Sequence, residues 1–276
     1  MRGLKPISME ECKEIELDMF RQILKVCEKY KLRYILDYGT LIGAVRHGGF
    51  IPWDDDIDIS MPRPDYDVFK QVFGKETGDT RYELRTGMKG NIAIPYIQVV
   101  HRDTVTQKKG RRESYAQALW VDVFPVDGAG DSAEQQREIY DKYWDKIQES
   151  RKIFGRYQPY LNPWKQLRQC YWHHLKKFQL GKIIGEAEAL MQTYDYDSSR
   201  NICCYPTVYG TKEKNLKSFY EDRIIMDFEG ISCHVPREYD KKLRGIYGDY
   251  RKLPPEDQRK GHEYLAFGAD QLFSRR

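Results

Sequence analysis

Apolar residues recur along this chain with two different spacings, and the switches between them mark out its elements. From about Met9 to Lys31, Ile15, Met19, Phe20, Ile23, Leu24, Cys27 and Tyr30 fall three or four apart, which predicts an amphipathic helix. Ser8 followed by Glu11 has the spacing of a reciprocal N-terminal cap. Arg33 to Asp37 reads as a short strand that Gly39 and Thr40 break, Leu41 to Arg46 as a short helix, and His47-Gly48-Gly49 as a loop. Beyond Pro52, Asp56-Ile57-Asp58-Ile59 alternates with the period of a strand, and Asp65 to Phe73 is helical after Pro62 and Pro64. Strands follow at Ala93 to Val100 and Leu119 to Phe124, separated by a basic loop, Lys108 to Arg112.

The character changes after Asp127-Gly128. Ser132 to Phe154 is helical, with Ile139, Tyr143 and Ile147 four apart and Ser132/Gln135 as a second cap. Pro159 and Pro163 interrupt it, and Trp164 to Tyr194 resumes as one or two helices broken near Gly181 and Gly185. Strands return at Cys203 to Tyr209, Ile224 to Phe228 and Ile231 to Val235, and a last helix runs from Pro236 to Tyr247-Gly248. The pattern predicts an α/β (α+β) fold: a mixed-sheet core over 1–130, a helical insertion over 131–200, and a C-terminal part over 201–276 that adds strands and a helix to the core domain.

Composition narrows the function classes. Over 276 residues, 40% are apolar, 32% charged and 13% aromatic, as in a globular protein. No stretch reaches the roughly 18–20 apolar residues that span a bilayer, and Glu10, Glu11, Lys13, Glu14, Glu16 and Asp18 exclude a secretory core in the first helix. Net charge is +4 with mixed signs, which argues against a nucleic-acid partner. Cys12, Cys27, Cys170, Cys203, Cys204 and Cys233 include no C-x-x-C pair and suit reduced thiols in a cytoplasm.

Candidate chemistry concentrates between Gly39 and Ile59. On a strand, Asp56 and Asp58 project to one face while Ile57 and Ile59 point to the core. Two carboxylates held so close repel unless a cation neutralises them. Mg²⁺, with Mn²⁺ as the alternative, takes one or two carboxylates plus phosphate oxygens and water. Upstream, Gly39-Thr40 at a strand-to-helix turn would let a phosphate approach unpaired N–H donors. Arg46 and His47 would add positive charge to the same anion, and Trp53 would stack on a base or sugar. A glycine-led turn, a short helix and an acid-x-acid strand together form the pattern of the nucleotidyltransferase fold. In that fold a later strand supplies a third carboxylate, and Asp122 in Trp120-Val121-Asp122-Val123-Phe124 is placed to do so.

The segment Gly39 to Ile59 resembles the signature of the LicD family, which includes the fukutin-related proteins. Trp120 to Asp127 resembles the family's second block. Phe228-Glu229-Gly230, Val235-Pro236, Tyr247-Gly248-Asp249-Tyr250 and Leu253-Pro254-Pro255-Glu256 resemble its C-terminal block, with His262 trailing. The resemblance implies transfer of a phosphorylated alcohol, phosphocholine or a relative, from a CDP-alcohol donor. The acceptor would be a hydroxyl of a cell-surface glycan (lipopolysaccharide or teichoic acid) or its lipid-linked precursor, and CMP would leave. It implies Asp56, Asp58 and Asp122 as catalytic and metal-binding residues. Gly39, Thr40, Arg46, His47, Trp53 and Asp54 become candidate contacts to nucleotide or substrate. Such an acceptor would bring a cytoplasmic enzyme into peripheral contact with the inner membrane face.

Rival readings remain open on the sequence. The same carboxylates would serve a nucleotidyltransferase that releases pyrophosphate from an NTP, or a non-catalytic protein that binds a nucleotide or phospho-alcohol. An EF-hand reading of Asp54, Asp56 and Asp58 fails, because Ile59 stands where that loop requires glycine. Lys108 to Arg112 reads more readily as a solvated loop than as an anion contact, and the YGD turn as a helix cap. Asp122 takes either of two roles, metal ligand or general base.

Overall fold

The computed structural model describes residues 5–86, 96–108, 118–154, 163–171, 177–262 and 264–269. In chain order the elements are α1 (Met9–Tyr30), β1 (Ile35–Leu36), α2 (Tyr38–His47), β2 (Ile57–Pro62), α3 (Arg63–Glu76), β3 (Tyr82–Thr86), β4 (Ile97–His101), β5 (Thr104–Lys108) and β6 (Trp120–Ala129). There follow α4 (Ala133–Phe154), α5 (Pro163–Cys170), α6 (Leu180–Met191), β7 (Asn201–Cys203), β8 (Asn215–Leu216), α7 (Ser218–Glu221), β9 (Arg223–Phe228), β10 (Ile231–Pro236), α8 (Tyr239–Tyr247) and β11 (Tyr264–Gly268). The architecture is α/β. Among the described residues no helix is long and apolar enough to cross a membrane.

The chain divides into two compact units, one of Met1–Leu84, Gln98–Phe124 and Ser218–Arg276, the other of Arg85–Ile97 and Pro125–Lys217. In the first, the sheet runs β1-β2-β6-β4-β3, which puts β6 between β2 and β4. Ile57, Ile59, Val121, Val123 and Val99 are fully buried, together with Phe20 and Ile23 of α1 and Phe69 and Phe73 of α3. Each such side chain contributes about 1.5–3 kcal/mol by leaving water. Two further ladders belong to this unit: β9 with β10, and β5 with β11.

In the second unit α4 and α6 pack together around Ile139, Tyr143, Ile147, Ile184, Ala187 and Met191, with Cys203 and Tyr205 closing the cluster. The region divides next to Gly181, since α6 begins at Leu180 after a turn over Lys177–Gln179, whereas Gly185 lies inside α6 and does not break it. The burial of Ile183, Ile184, Ala187 and Met191 outweighs the roughly 1 kcal/mol that Gly185 costs the helix.

Both reciprocal caps form as their spacing predicts. The Glu11 N–H donates to Ser8 Oγ at 3.2 Å and the Ser8 N–H to Glu11 Oε2 at 2.9 Å. Gln135 and Ser132 repeat the exchange at 3.1 Å each way. Other boundaries move. α3 starts at Arg63 with proline in its first turn, where a missing N–H costs nothing. β2 begins at Ile57, so Asp56 precedes the strand and Asp58 lies within it. The strand expected over Cys203 to Tyr209 ends at Cys203, since Pro206 cannot donate to a ladder. Lys108 ends β5 instead of opening a loop, while 109–112 and the start of the strand at 93–95 fall outside the described residues.

The most informative shift is at α2. Gly39 and Thr40 lie in its first turn, because Asp37 caps the helix by accepting the Tyr38 N–H at 2.9 Å. Tyr38 is held at φ 46°, a left-handed conformation that costs a non-glycine residue energy. The other Asp37 oxygen accepts from Lys242 Nζ at 2.8 Å and Ser60 Oγ at 2.5 Å, and Lys242 also donates to Tyr220 Oη at 3.0 Å. Both charged side chains are completely buried, so this pair fixes α8 to the start of α2.

Replacing Lys242 by Met should lower the unfolding free energy by about 3–5 kcal/mol, because it strands a buried carboxylate. Adding Asp37→Asn keeps the cap, removes the charge and should restore part of that loss in urea titrations followed by circular dichroism. Equal stability of Lys242→Met and the unaltered protein would show that the pair does not anchor α8.

Candidate active site

The sheet order brings together carboxylates that lie far apart in sequence. Asp58 on β2 neighbours Asp122 on β6, and Asp122 Oδ1 accepts from Gln98 Nε2 of β4 at 2.8 Å. The Asp58 N–H donates to Thr40 Oγ1 at 2.8 Å, and the Asp58 carbonyl accepts the Asp37 N–H at 3.0 Å. Thr40 is buried and fixes the backbone that carries Asp58. A Cβ on Gly39 would sit 2.5 Å from Asp54 Oδ2, so the glycine at the start of α2 makes room for a carboxylate of the chain itself.

A C-terminal strap completes the site. The Arg259 guanidinium lies 5.4 Å from the centre of the Trp53 ring. A Cβ on Gly261 would lie 2.7 Å from the Trp53 carbonyl oxygen and 2.8 Å from Asp55 Oδ2. The His262 N–H donates to both Asp55 oxygens at 3.0 Å, and His262 Nδ1 lies 2.8 Å from Asp55 Oδ1. On its other side His262 Nε2 lies 3.7 Å from Asp56 Oδ2. Tyr264 Oη donates to the Asp55 carbonyl at 3.0 Å, and the Trp120 ring stands 5.9 Å from His262 and 5.5 Å from Tyr264.

The electrostatics follow from this crowding. Burial pushes the Asp54 carboxyl up to about 7, helped by the charges of Asp56 and Asp55. Burial likewise raises Asp56 to about 6, with His262 opposing and Asp122 and Asp55 adding. Asp122 rises to about 7 through burial, against its bond from Gln98. Asp58 is driven well above the usual range by burial and then by Asp56 and Asp122. His262 moves to about 9, chiefly through its hydrogen bond to Asp55. Glu16 of α1, 1% exposed, adds another carboxyl raised by burial and by Asp56 and Asp55.

The ligand atoms of Asp55, Asp56 and His262 lie within 4.8 Å of one another. With Asp58 and Asp122 alongside, the set is dominated by hard oxygen donors, and one Glu16 oxygen is buried without a hydrogen-bond partner. Such a donor set suits a divalent cation of the Mg²⁺ or Mn²⁺ type.

Comparison with known proteins gives this site a context. The model of the family described as LicD/FKTN/FKRP, nucleotidyltransferase domain, matches residues 31–167. Over 271 residues, 94% of this chain and 97% of the relative, the chain is 30% identical to the lipopolysaccharide cholinephosphotransferase LicD of Haemophilus influenzae. The chain belongs to the LicD family. A stretch of 58 residues is also 41% identical to the ribitol 5-phosphate transferase FKRP of Homo sapiens, covering 21% of this chain and 12% of that one.

Several residues expected at the site of this LicD-family chain have other partners. Arg46 Nη1 donates to the Tyr250 carbonyl at 2.8 Å, and Arg46 Nε lies 3.5 Å from His47 Nδ1. Both residues occupy the last turn of α2, about 9–10 Å along the helix axis from Thr40. Burial and the Arg46 charge lower the His47 pKa. Glu229 ties down the His47-Gly48-Gly49 loop. Its carboxylate accepts the Phe50 N–H at 2.9 Å, its N–H donates to the Gly48 carbonyl at 2.9 Å, and it fills the space a Gly49 side chain would need. Asp55, Glu16 and Gln98 were missed as site residues. Asp55 gave a signal within the Asp54-Asp55-Asp56 run, whereas Glu16 and Gln98 gave none.

In chelator-treated protein these shifts have one sign. Asp54, Asp56 and Asp122 titrate near 4 in an unfolded chain but at about 7, 6 and 7 when folded, so stability falls as pH rises through that window. The His262 contribution, complete below roughly 6.5, is lost as pH passes about 9. His262→Gln should therefore remove the loss in melting temperature that ends near pH 9 and move the carboxylate segment to higher pH, because His262 no longer holds Asp54, Asp56 and Asp122 down. A variant that keeps the whole profile would show that His262 does not carry charge in this network.

Proposed function

We propose that the protein transfers a phospho-alcohol, phosphocholine foremost, from a CDP-activated donor to a hydroxyl of a cell-surface glycan or its lipid-linked precursor. The observation that carries this reading is the convergence of Asp54, Asp56, Asp58, Asp122 and His262 in one place. Similarity to a cholinephosphotransferase across nearly the whole chain supports the phosphocholine choice, and the match to a ribitol 5-phosphate transferase supports phospho-alcohols as the wider class.

In this reading Asp56, Asp58 and Asp122 hold Mg²⁺. When bound, the ion neutralises charge on the pyrophosphate bridge as it breaks. The remaining chemistry belongs to the chain. Thr40 and Gln98 keep Asp58 and Asp122 aimed, and Asp55 holds the His262 ring by Nδ1 so that Nε2 faces Asp56. An acceptor hydroxyl oxygen attacks the phosphorus that bears the alcohol, its proton passes to a carboxylate of this cluster, and CMP leaves as the bridging P–O bond breaks. A lipid-linked acceptor would place the reaction at the inner membrane face.

Phosphorus NMR of the protein with CDP-choline, Mg²⁺ and a panel of sugar acceptors should show CMP and a new phosphodiester. Asp58→Asn should abolish the product, a loss of at least about 10³-fold if the transition-state charge goes uncompensated, while preserving the circular dichroism spectrum. Chelator should stop turnover, and calorimetry should show Mg²⁺ binding weakened in Asp56→Asn. Pyrophosphate release from CTP without phosphodiester formation would assign a nucleotidyltransferase instead, and nucleotide binding without turnover a binding protein.

A further inference from the structure

Away from the carboxylates, the first unit holds a cavity of about 500 Å³ whose walls include Glu28, Lys31, Tyr34, Arg223, Ser232 and His234. It shares no residue with the site described above. Arg223 Nε and His234 Nδ1 are both buried there without a hydrogen-bond partner. Leaving a buried donor unmade costs about 1–3 kcal/mol, and more when the group is charged. Both residues line the cavity, and Arg223 has no carboxylate partner among the described residues, so the cationic wall they form with Lys31 is open to an anion.

The walls show how the chain builds it. In the β9–β10 ladder Arg223 pairs with Pro236 and Ile225 with His234, so Arg223 and His234 are diagonal neighbours on one face, with Ser232 two residues further along β10. Among the described residues no carboxylate pairs with Arg223. The Tyr34 ring stands edge-on to His234 at 5.3 Å, and Tyr34 Oη accepts the His234 N–H at 3.4 Å. Lys31, in the left-handed residue that ends α1, brings a second cation, and Glu28 one turn earlier brings the single carboxylate. Burial and the Arg223 charge both hold His234 towards its neutral form, so Nδ1–H can serve as a donor without adding charge.

We propose that this cavity binds the phosphoryl group of a small phosphorylated compound. Arg223, Lys31, His234, Ser232 and Tyr34 surround it with donors from separate elements, a distribution that suits a tetrahedral oxyanion better than a planar carboxylate. The two cations exceed the Glu28 charge by one, and the volume leaves room for an organic group attached to the phosphate.

Inorganic phosphate is the probe, titrated by calorimetry at constant ionic strength in chelator and without nucleotide, so that the carboxylate site takes no part. One saturable site is expected in the unaltered protein and in Asp56→Asn, and affinity about tenfold or more weaker in Arg223→Gln. On the unaltered protein, phosphate should also shift the ¹⁵N resonance of His234 Nδ1, which keeps the test valid should Arg223→Gln fail to fold. Glycerol 3-phosphate and vesicles of phosphatidylcholine with phosphatidic acid then separate a soluble phosphate ester from a lipid headgroup. No saturable binding, or equal binding by folded Arg223→Gln with an unmoved His234 resonance, overturns the proposal.

Discussion

Mutual repulsion among buried carboxylates is the constraint around which this molecule is organised. Two unit charges 4 Å apart repel by about 4 kcal/mol at the effective dielectric of a protein surface. Here burial disfavours the charges of Glu16, Asp54, Asp56, Asp58 and Asp122, and the neighbouring carboxylates, Asp55 among them, add to the effect at Glu16, Asp54, Asp56 and Asp58. Among the described residues the ion pairs to this group come from His262. The arrangement persists because each backbone segment beneath it is separately secured. Thr40 holds Asp58, His262 and Tyr264 hold Asp55, and Lys242 holds the aspartate that starts α2. Stability is sacrificed locally to keep these carboxylates together, as is common where a fold builds a functional site.

Local signals in the sequence proved sufficient wherever the determining contact was itself local. Ser8/Glu11 and Ser132/Gln135 cap because three-residue spacing is all that a cap needs. Ile57 and Ile59 are buried as alternation requires. The placing of Asp122 beside Asp58 rested on the resemblance to known folds, and the sheet order agrees. What escaped depended on distant partners. Nothing near Lys242 indicates that it is completely buried, and Glu16 is buried on α1 although it stands outside the apolar stripe of that helix. The bond from Arg46 to the Tyr250 carbonyl was equally invisible, because that carbonyl lies 204 residues away in the chain. Gly185 read as a break because local propensity carries no information about how well the opposite face of α6 packs.

At Gly39 the sequence marks a place where something must come close to the backbone, and in the structure Asp54, a member of the same acidic run, does so. The turn into α2 thus helps to shape the acidic cluster by admitting a side chain of the chain itself.

The strap also bears on the order in which the molecule matures. Asp55 and His262 meet across a separation of 207 residues. Contacts of that span gain nothing until the intervening chain has collapsed, and closing so large a loop carries an entropy cost that nearby contacts do not. The sheet and α1 can assemble from local pairings while His262 is still distant. On the ribosome the histidine emerges after almost everything it will touch, so the core is built before its function exists, and a chain halted short of Gly261 would fold into a scaffold whose acidic centre is never balanced.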